Sequence, residues 1–131
     1  MADVAELAGH RVLVVEDEFL LAMELEALLK RNGCEVLGPA PTVEWALALV
    51  YNDHPDLALL DVNLKGLRAT PVAAALRDRG VPFVLITGYR SEQLREPELR
   101  GAPRVDKPVN GRDLRRALIR ALEAAEPSRA R

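Results

Sequence analysis

Hydrophobic residues along the chain fall into short runs that alternate with longer segments of helical periodicity. The runs predict five strands, at residues 11–15, 34–37, 57–60 and 81–86 and around Val105. The run at 57–60 does not alternate with polar residues, which is typical of a strand buried on both faces of a parallel sheet.

The segments between these runs repeat apolar residues at helical spacing. They predict helices over residues 18–31, 42–53, 70–79 and 113–125. Asn32-Gly33 ends the first helix, Thr42 begins the second and Pro71 lies in the first turn of the third. Pro97 interrupts residues 91–100, which we interpret as a frayed helix or a loop.

This alternation of strands and helices predicts an α/β fold, a three-layer α/β/α sandwich with a doubly wound five-stranded parallel sheet. The sequence does not fix the strand order, although 2-1-3-4-5 is one common doubly wound order. We expect one domain over residues 11–125, preceded by a polar leader at 1–10 and followed by a disordered tail at 126–131.

The composition narrows the range of partners. With 131 residues, a net charge of −2 and a pI near 5.7, the chain offers no general attraction to nucleic acid or to anionic membranes. It contains no secretion signal and no apolar stretch near the roughly 20 residues that cross a bilayer, so we expect a cytoplasmic protein. Cys34 is the single cysteine, which excludes an internal disulfide, and we expect it to be a small buried hydrophobe.

Polar residues with chemical potential follow four of the predicted strands. Glu16-Asp17, Asp61, Thr87 and Lys107-Pro108 each come at or near the end of a run. Parallel strands share one carboxyl edge, so these groups should meet there. Three clustered carboxylates repel one another, and hard oxygen ligands favour Mg²⁺ as the cation that removes the conflict. A hydroxyl and a lysine beside them complete a set suited to phosphoryl transfer, with Asp61 as the nucleophile.

Each of these features also has an ordinary explanation. An acidic pair before a helix favours the helix dipole, a lone aspartate often forms a turn, and Thr-Gly is a common turn sequence. The complete set, in this order on alternating elements, is much harder to explain in that way.

The set resembles the receiver domain of bacterial response regulators, over roughly residues 10–125. The resemblance implies a flavodoxin-like fold with strand order 2-1-3-4-5 and a Lys107-Pro108 peptide that is often cis. It implies these roles: Glu16 and Asp17 bind Mg²⁺, Asp61 accepts the phosphoryl group and ligates the metal, the backbone carbonyl of Asn63 completes the metal shell, Thr87 is the hydroxyl switch residue and Lys107 is the lysine of the site. The phosphoryl donor would be a phosphohistidine on a sensor histidine kinase or a histidine phosphotransferase.

The sequence departs from the common receiver pattern at the fifth strand. An aromatic residue usually stands three positions before the lysine, and here that residue is Arg104. The segment Thr87-Gly88-Tyr89 is similar to a receiver subgroup that lacks the later aromatic residue. We therefore predict that Tyr89 takes over the switch role, which an alanine variant with unchanged phosphorylation and unchanged partner binding would exclude.

Other functions remain as alternatives. A phosphatase of the haloacid dehalogenase type uses a similar set of residues, but in that class the nucleophile comes first in the sequence and the acidic pair comes last. That class also has a general acid two residues after the nucleophile, where this chain has Asn63. A nucleotide-binding module is disfavoured because the chain lacks the glycine-rich phosphate loop of that class. A pseudo-receiver, which binds partners without being phosphorylated, remains an alternative.

The resemblance also bears on partners and assembly. If the chain is the whole protein, we expect a single-domain regulator, not an enzyme acting on other substrates, that binds a downstream protein as a monomer or weak homodimer. Four arginines lie at the start of the last predicted helix and along it, and we interpret them as a solvated face: Arg112, Arg115, Arg116 and Arg120.

Overall fold

The structure, a computed structural model, describes residues 6–88 and 94–125. Within them, five strands form one parallel sheet: β1 (Arg11–Val15), β2 (Glu35–Ala40), β3 (Leu57–Asp61), β4 (Phe83–Thr87) and β5 (Arg104–Asp106). Their order is β2-β1-β3-β4-β5. The predicted three-layer fold and its strand order are confirmed.

Helices cover both faces of this sheet. They are α1 (Phe19–Arg31), α2 (Val43–Asp53), α3 (Thr70–Asp78) and α4 (Gly111–Ala125), with a 3-10 helix at Pro97–Leu99. Successive residues of a strand point to opposite faces. Leu13 accordingly packs in one core with α2 and α3, and Val14 packs in the other with α1 and α4. No helix among the described residues is long and apolar enough to span a membrane.

The second strand is longer than predicted. The predicted strand ended at residue 37, but β2 continues to Ala40, and its register with β1 shifts after Leu13. Gly38 has a φ of +93°, and a Cβ there would lie 2.7 Å from the Ala40 nitrogen. Only glycine fits this irregularity, which lets the strand pass a position that would otherwise end it.

A short hairpin follows β3, in a stretch for which we predicted neither a strand nor a helix. Asn63–Leu64 pairs antiparallel with Leu67–Arg68. The two residues between them, Lys65 and Gly66, have φ angles of +51° and +88°. Two successive positive φ angles are those of a tight hairpin turn.

The end of the expected polar leader packs onto the domain. Leu7 is fully buried against the α1 and α4 side of the sheet. The Gly9 amide donates to the Gly33 carbonyl at 2.8 Å. Cys34 is buried as expected, its thiol donates to the Leu7 carbonyl at 3.4 Å, and burial raises the pKa of that thiol. The expected tail at 126–131 and the first part of the uncertain segment, 91–93, lie outside the described residues.

Candidate functional site

The carboxylates come together at the carboxyl edge of the sheet. Glu16 and Asp17 directly follow β1, and Asp61 is the last residue of the adjacent β3. One carboxylate oxygen from each of the three lies within 4.8 Å of the others. Glu16 and Asp61 are buried and Asp17 is half-buried. The predicted cluster is therefore assembled by two neighbouring strands.

Glu16 has the most unusual environment of the three. Its Oε2 accepts a hydrogen bond from the Glu18 amide at 3.0 Å, whereas its buried Oε1 has no hydrogen-bond partner among the described residues. Burial, which is the largest cause, and the neighbouring Asp61 carboxylate together raise the pKa of Glu16 to about 8. A buried carboxylate in this position calls for a proton or a cation.

The donor set fits a divalent cation. Three carboxylates offer hard oxygen ligands, and Glu16 Oε1 is a buried acceptor that is otherwise unused. Mg²⁺ prefers such ligands and keeps several waters.

Lys107 supplies the positive charge of the site. Its Nζ lies 3.0 Å from Asp61 Oδ2 and 3.7 Å from Glu18 Oε1. Burial alone would lower the pKa of Lys107, but the nearby carboxylates of Asp61, Glu16 and Glu18 outweigh it and raise that pKa. The Lys107 amide also donates to the Thr87 carbonyl at 3.0 Å, and the Lys107-Pro108 peptide is cis. Glu18 was not among the predicted site residues, since nothing in the sequence sets it apart from other acidic residues at a helix start.

Asn63 lies at the site through its backbone. Its amide donates to Asp61 Oδ1 at 3.0 Å, which fixes one oxygen of that carboxylate, while its side chain is exposed. The other Asp61 oxygen contacts Lys107. The role of the Asn63 carbonyl as a metal ligand stays a prediction.

Thr87 ends β4 and is fully buried. Its hydroxyl donates to Asp106 Oδ1 on β5 and accepts from Arg104 Nη2 at 3.3 Å. Arg104 Nη2 also lies 3.7 Å from Asp106 Oδ1. Sequence reasoning singled out Thr87 and Arg104 but missed Asp106. The switch candidate Tyr89 lies outside the described residues.

Known proteins with similar sequences contain the kind of domain that the geometry of the site indicates. A model of the response regulator receiver domain family matches residues 12–119. Sensory transduction protein RegX3 of Mycolicibacterium smegmatis is 40% identical over 108 residues, which cover 79% of this chain and 46% of that protein. The chain spans about half the length of the curated relatives it matches.

Two solved structures extend the comparison. The signal receiver domain of a modulated diguanylate cyclase from Desulfovibrio desulfuricans G20 is 30% identical, with a TM-score of 0.79 and coverage of 92% of this chain and 98% of that one. The response regulator PhyR from Brucella abortus is 29% identical, with a TM-score of 0.82 and coverage of 98% and 54%. Sequence match, fold and the acidic cluster agree, and the chain belongs to the response regulator receiver domain family.

Proposed function

We propose that this domain accepts a phosphoryl group on Asp61 from a phosphohistidine and thereby changes its binding to a downstream protein. The observation that carries the proposal is the pairing of Asp61 with Lys107 at 3.0 Å beside the Glu16 and Asp17 carboxylates. Receiver domains serve two-component signalling and interact with a histidine kinase or a histidine phosphotransferase. Either could act as the phosphoryl donor here.

The transfer is a displacement at phosphorus. A carboxylate oxygen of Asp61 forms the new P–O bond, the P–N bond of the phosphohistidine breaks, and the released imidazole nitrogen keeps the electron pair and is protonated. Lys107 neutralises charge that develops on the phosphoryl oxygens. The Asn63 amide holds the second Asp61 oxygen and so orients the attacking one.

Glu16, Asp17, Asp61 and the Asn63 carbonyl would hold Mg²⁺. When bound, the ion neutralises the acidic cluster and the phosphoryl oxygens. The chain's own contribution is the arrangement of these ligands at one sheet edge, with Glu16 Oε1 buried and available.

Thr87 would report the phosphoryl group. Thr87 ends β4, and Asp61 ends the neighbouring strand β3, where it pairs with Ile86. A phosphoryl group adds negative charge and three acceptor oxygens, which gives the hydroxyl a new partner. We further propose that Tyr89, two residues along the chain, relays this change to the downstream protein.

The experiment is incubation with Mg²⁺ and acetyl phosphate, followed by intact mass measurement. Wild-type protein should gain one phosphoryl group, Asp61→Asn should gain none, and Asp78→Asn, which alters an exposed aspartate of α3, should match wild type. Absence of an Asp61-dependent adduct would favour the pseudo-receiver. Steady turnover of unrelated phosphate esters would favour the phosphatase.

A further inference from the structure

Thr87 Oγ1 is directed to the fifth strand and is engaged there. It donates its proton to the Asp106 carboxylate and accepts from the Arg104 guanidinium at 3.3 Å. The Thr87 side chain is fully buried, whereas its two partners on β5 are partly exposed. A hydroxyl has one proton to donate, and the Thr87 hydroxyl donates it in a hydrogen bond to Asp106.

The register of the sheet explains this contact. Thr87 pairs with Asp106 across β4 and β5, and Leu85 pairs with Arg104. Arg104 and Asp106 are two residues apart on one strand, so their side chains lie on the same face. Val105 between them is buried on the opposite side. The pair is thus placed over Thr87 by strand geometry.

We propose that Asp106, positioned by Arg104, competes with the phosphoryl group for the Thr87 proton, so that phosphorylation frees the Arg104–Asp106 pair to rearrange. This inference rests on the proposed function of Asp61 as phosphoacceptor. The two states are discrete, because a single proton is donated either to the Asp106 carboxylate or to a phosphoryl oxygen.

The Arg104–Asp106 pair lies where a partner protein could contact it. β5 is the edge strand of the sheet, and the side chains of Arg104 and Asp106 are 33% and 52% exposed. A change in their pairing alters the charge pattern of that edge. Arg104 occupies the position at which receiver domains usually have an aromatic residue.

The competition has a measurable size. A bond that must break when the phosphoryl group binds weakens that binding, and by reciprocity its removal strengthens it. Hydrogen bonds to a charged acceptor are stronger than neutral ones, and losing this one should raise affinity for a phosphoryl mimic about 5- to 10-fold. A purely structural Asp106 would give the opposite sign.

The test measures equilibrium binding of beryllofluoride, a phosphoryl mimic that binds aspartate carboxylates, in the presence of Mg²⁺. Asp106→Ala should bind it about 5- to 10-fold more tightly than wild type. Asp106→Asn, which keeps an acceptor oxygen without the charge, should show a smaller gain in the same direction. If the alanine variant does not fold by circular dichroism, the asparagine variant decides.

A double-mutant cycle isolates the role of the hydroxyl. In a Thr87→Val background, Asp106→Ala should give no gain, because no proton is left to compete for. A gain that persists there would assign the effect to charge alone and overturn the proposal, as would unchanged or weaker binding by Asp106→Ala and Asp106→Asn. Failure of wild type to bind beryllofluoride would instead overturn the proposed function, and this inference with it.

Discussion

Lys107 Nζ lies 3.0 Å from Asp61 Oδ2, although the two residues are 46 positions apart in the chain. This contact joins the end of β3 to the residue that follows β5, across the intervening end of β4. It gives Asp61, which is buried, its one cationic partner among the described residues. The site is therefore held together across three strands.

Replacing this lysine should impair both chemistry and stability. Lys107→Gln removes the charge that neutralises the phosphoryl oxygens, and we expect phosphorylation by acetyl phosphate to slow about 100-fold. It also leaves Asp61 in an acidic cluster without a cation, which should lower the free energy of unfolding by about 1–3 kcal/mol without Mg²⁺. Intact mass time courses and urea unfolding measure the two effects. Lys65→Gln, at an exposed lysine, is the control, and equal phosphorylation rates in both variants would contradict the assignment.

The raised pKa of Glu16 predicts a pH dependence of stability in the absence of metal. Between the ordinary value of 4.5 and about 8, the folded protein keeps a proton on Glu16 that the unfolded chain has lost. The folded state binds more protons in this window, so the free energy of unfolding should fall as pH rises through it, by a few kcal/mol as an order of magnitude.

Urea unfolding in EDTA between pH 5 and 8.5 measures this slope. Glu16→Gln removes the titrating group but keeps the shape, so its slope should be clearly flatter, while other titrating groups contribute equally to both proteins. Saturating Mg²⁺ should flatten the wild-type slope as well, because the ion replaces the proton. Parallel pH profiles for wild type and Glu16→Gln would contradict the raised pKa.

The Arg68–Glu96 ion pair should stabilise the loops beside the site to a small extent. Arg68 Nε and Nη2 donate to the Glu96 oxygens at 2.8 and 3.1 Å, and this bonding lowers the pKa of Glu96 to about 2. Because both side chains are about one-third exposed, solvent screens the pair, and we expect a coupling energy of about 0.5–1 kcal/mol.

A double-mutant cycle with Arg68→Gln and Glu96→Gln measures that coupling. It should be fully present above pH 4.5, should decline as pH falls towards 2, and should weaken in 1 M salt at about neutral pH. The Glu26–Lys30 pair of α1, with atoms 2.9 Å apart and a lysine side chain that is 62% exposed, is a comparison of similar length. A coupling that does not change with acid or salt would show that packing, and not charge, joins these loops.

A substitution at Leu7 tests whether residue 7 belongs to the cooperative folding unit. It is fully buried against α1 and α4, so Leu7→Ala should lower the free energy of unfolding by about 2–5 kcal/mol. Leu67→Ala, at a hairpin leucine that is 64% exposed, should change it by less than about 0.5 kcal/mol. Urea denaturation compares the two, and similar small effects would place residue 7 outside the cooperative unit.

The sequence predicted the sheet and its carboxyl-edge cluster because both depend on local signals. Unbroken apolar runs such as 57–60 indicate buried parallel strands, and parallel strands necessarily bring their ends to one edge. Glu16, Asp61 and Lys107 could therefore be grouped without knowing any side-chain position. Their grouping needs only the direction of the strands.

The features that the sequence did not predict depend on register or on tertiary packing. Asp106 contacts Thr87 because β4 and β5 pair in one particular register, and a three-residue strand carries too little pattern to fix it. Gly38 allows β2 to continue through an irregularity that local propensity reads as a stop. Leu7 is a single apolar residue in a polar stretch, and only the folded core shows that it is buried.

The strand order has one further consequence for how such a domain diversifies. The carboxylates of the acceptor and metal site stand at the ends of β1 and β3 in the interior of the sheet, whereas Arg104 and Asp106 stand on its edge. An interior strand is packed on all sides and tolerates little change, but an edge strand has one free side. Substitutions at the edge can then alter what a partner recognises while the acceptor chemistry stays intact, so that related domains could share a donor and yet address different targets.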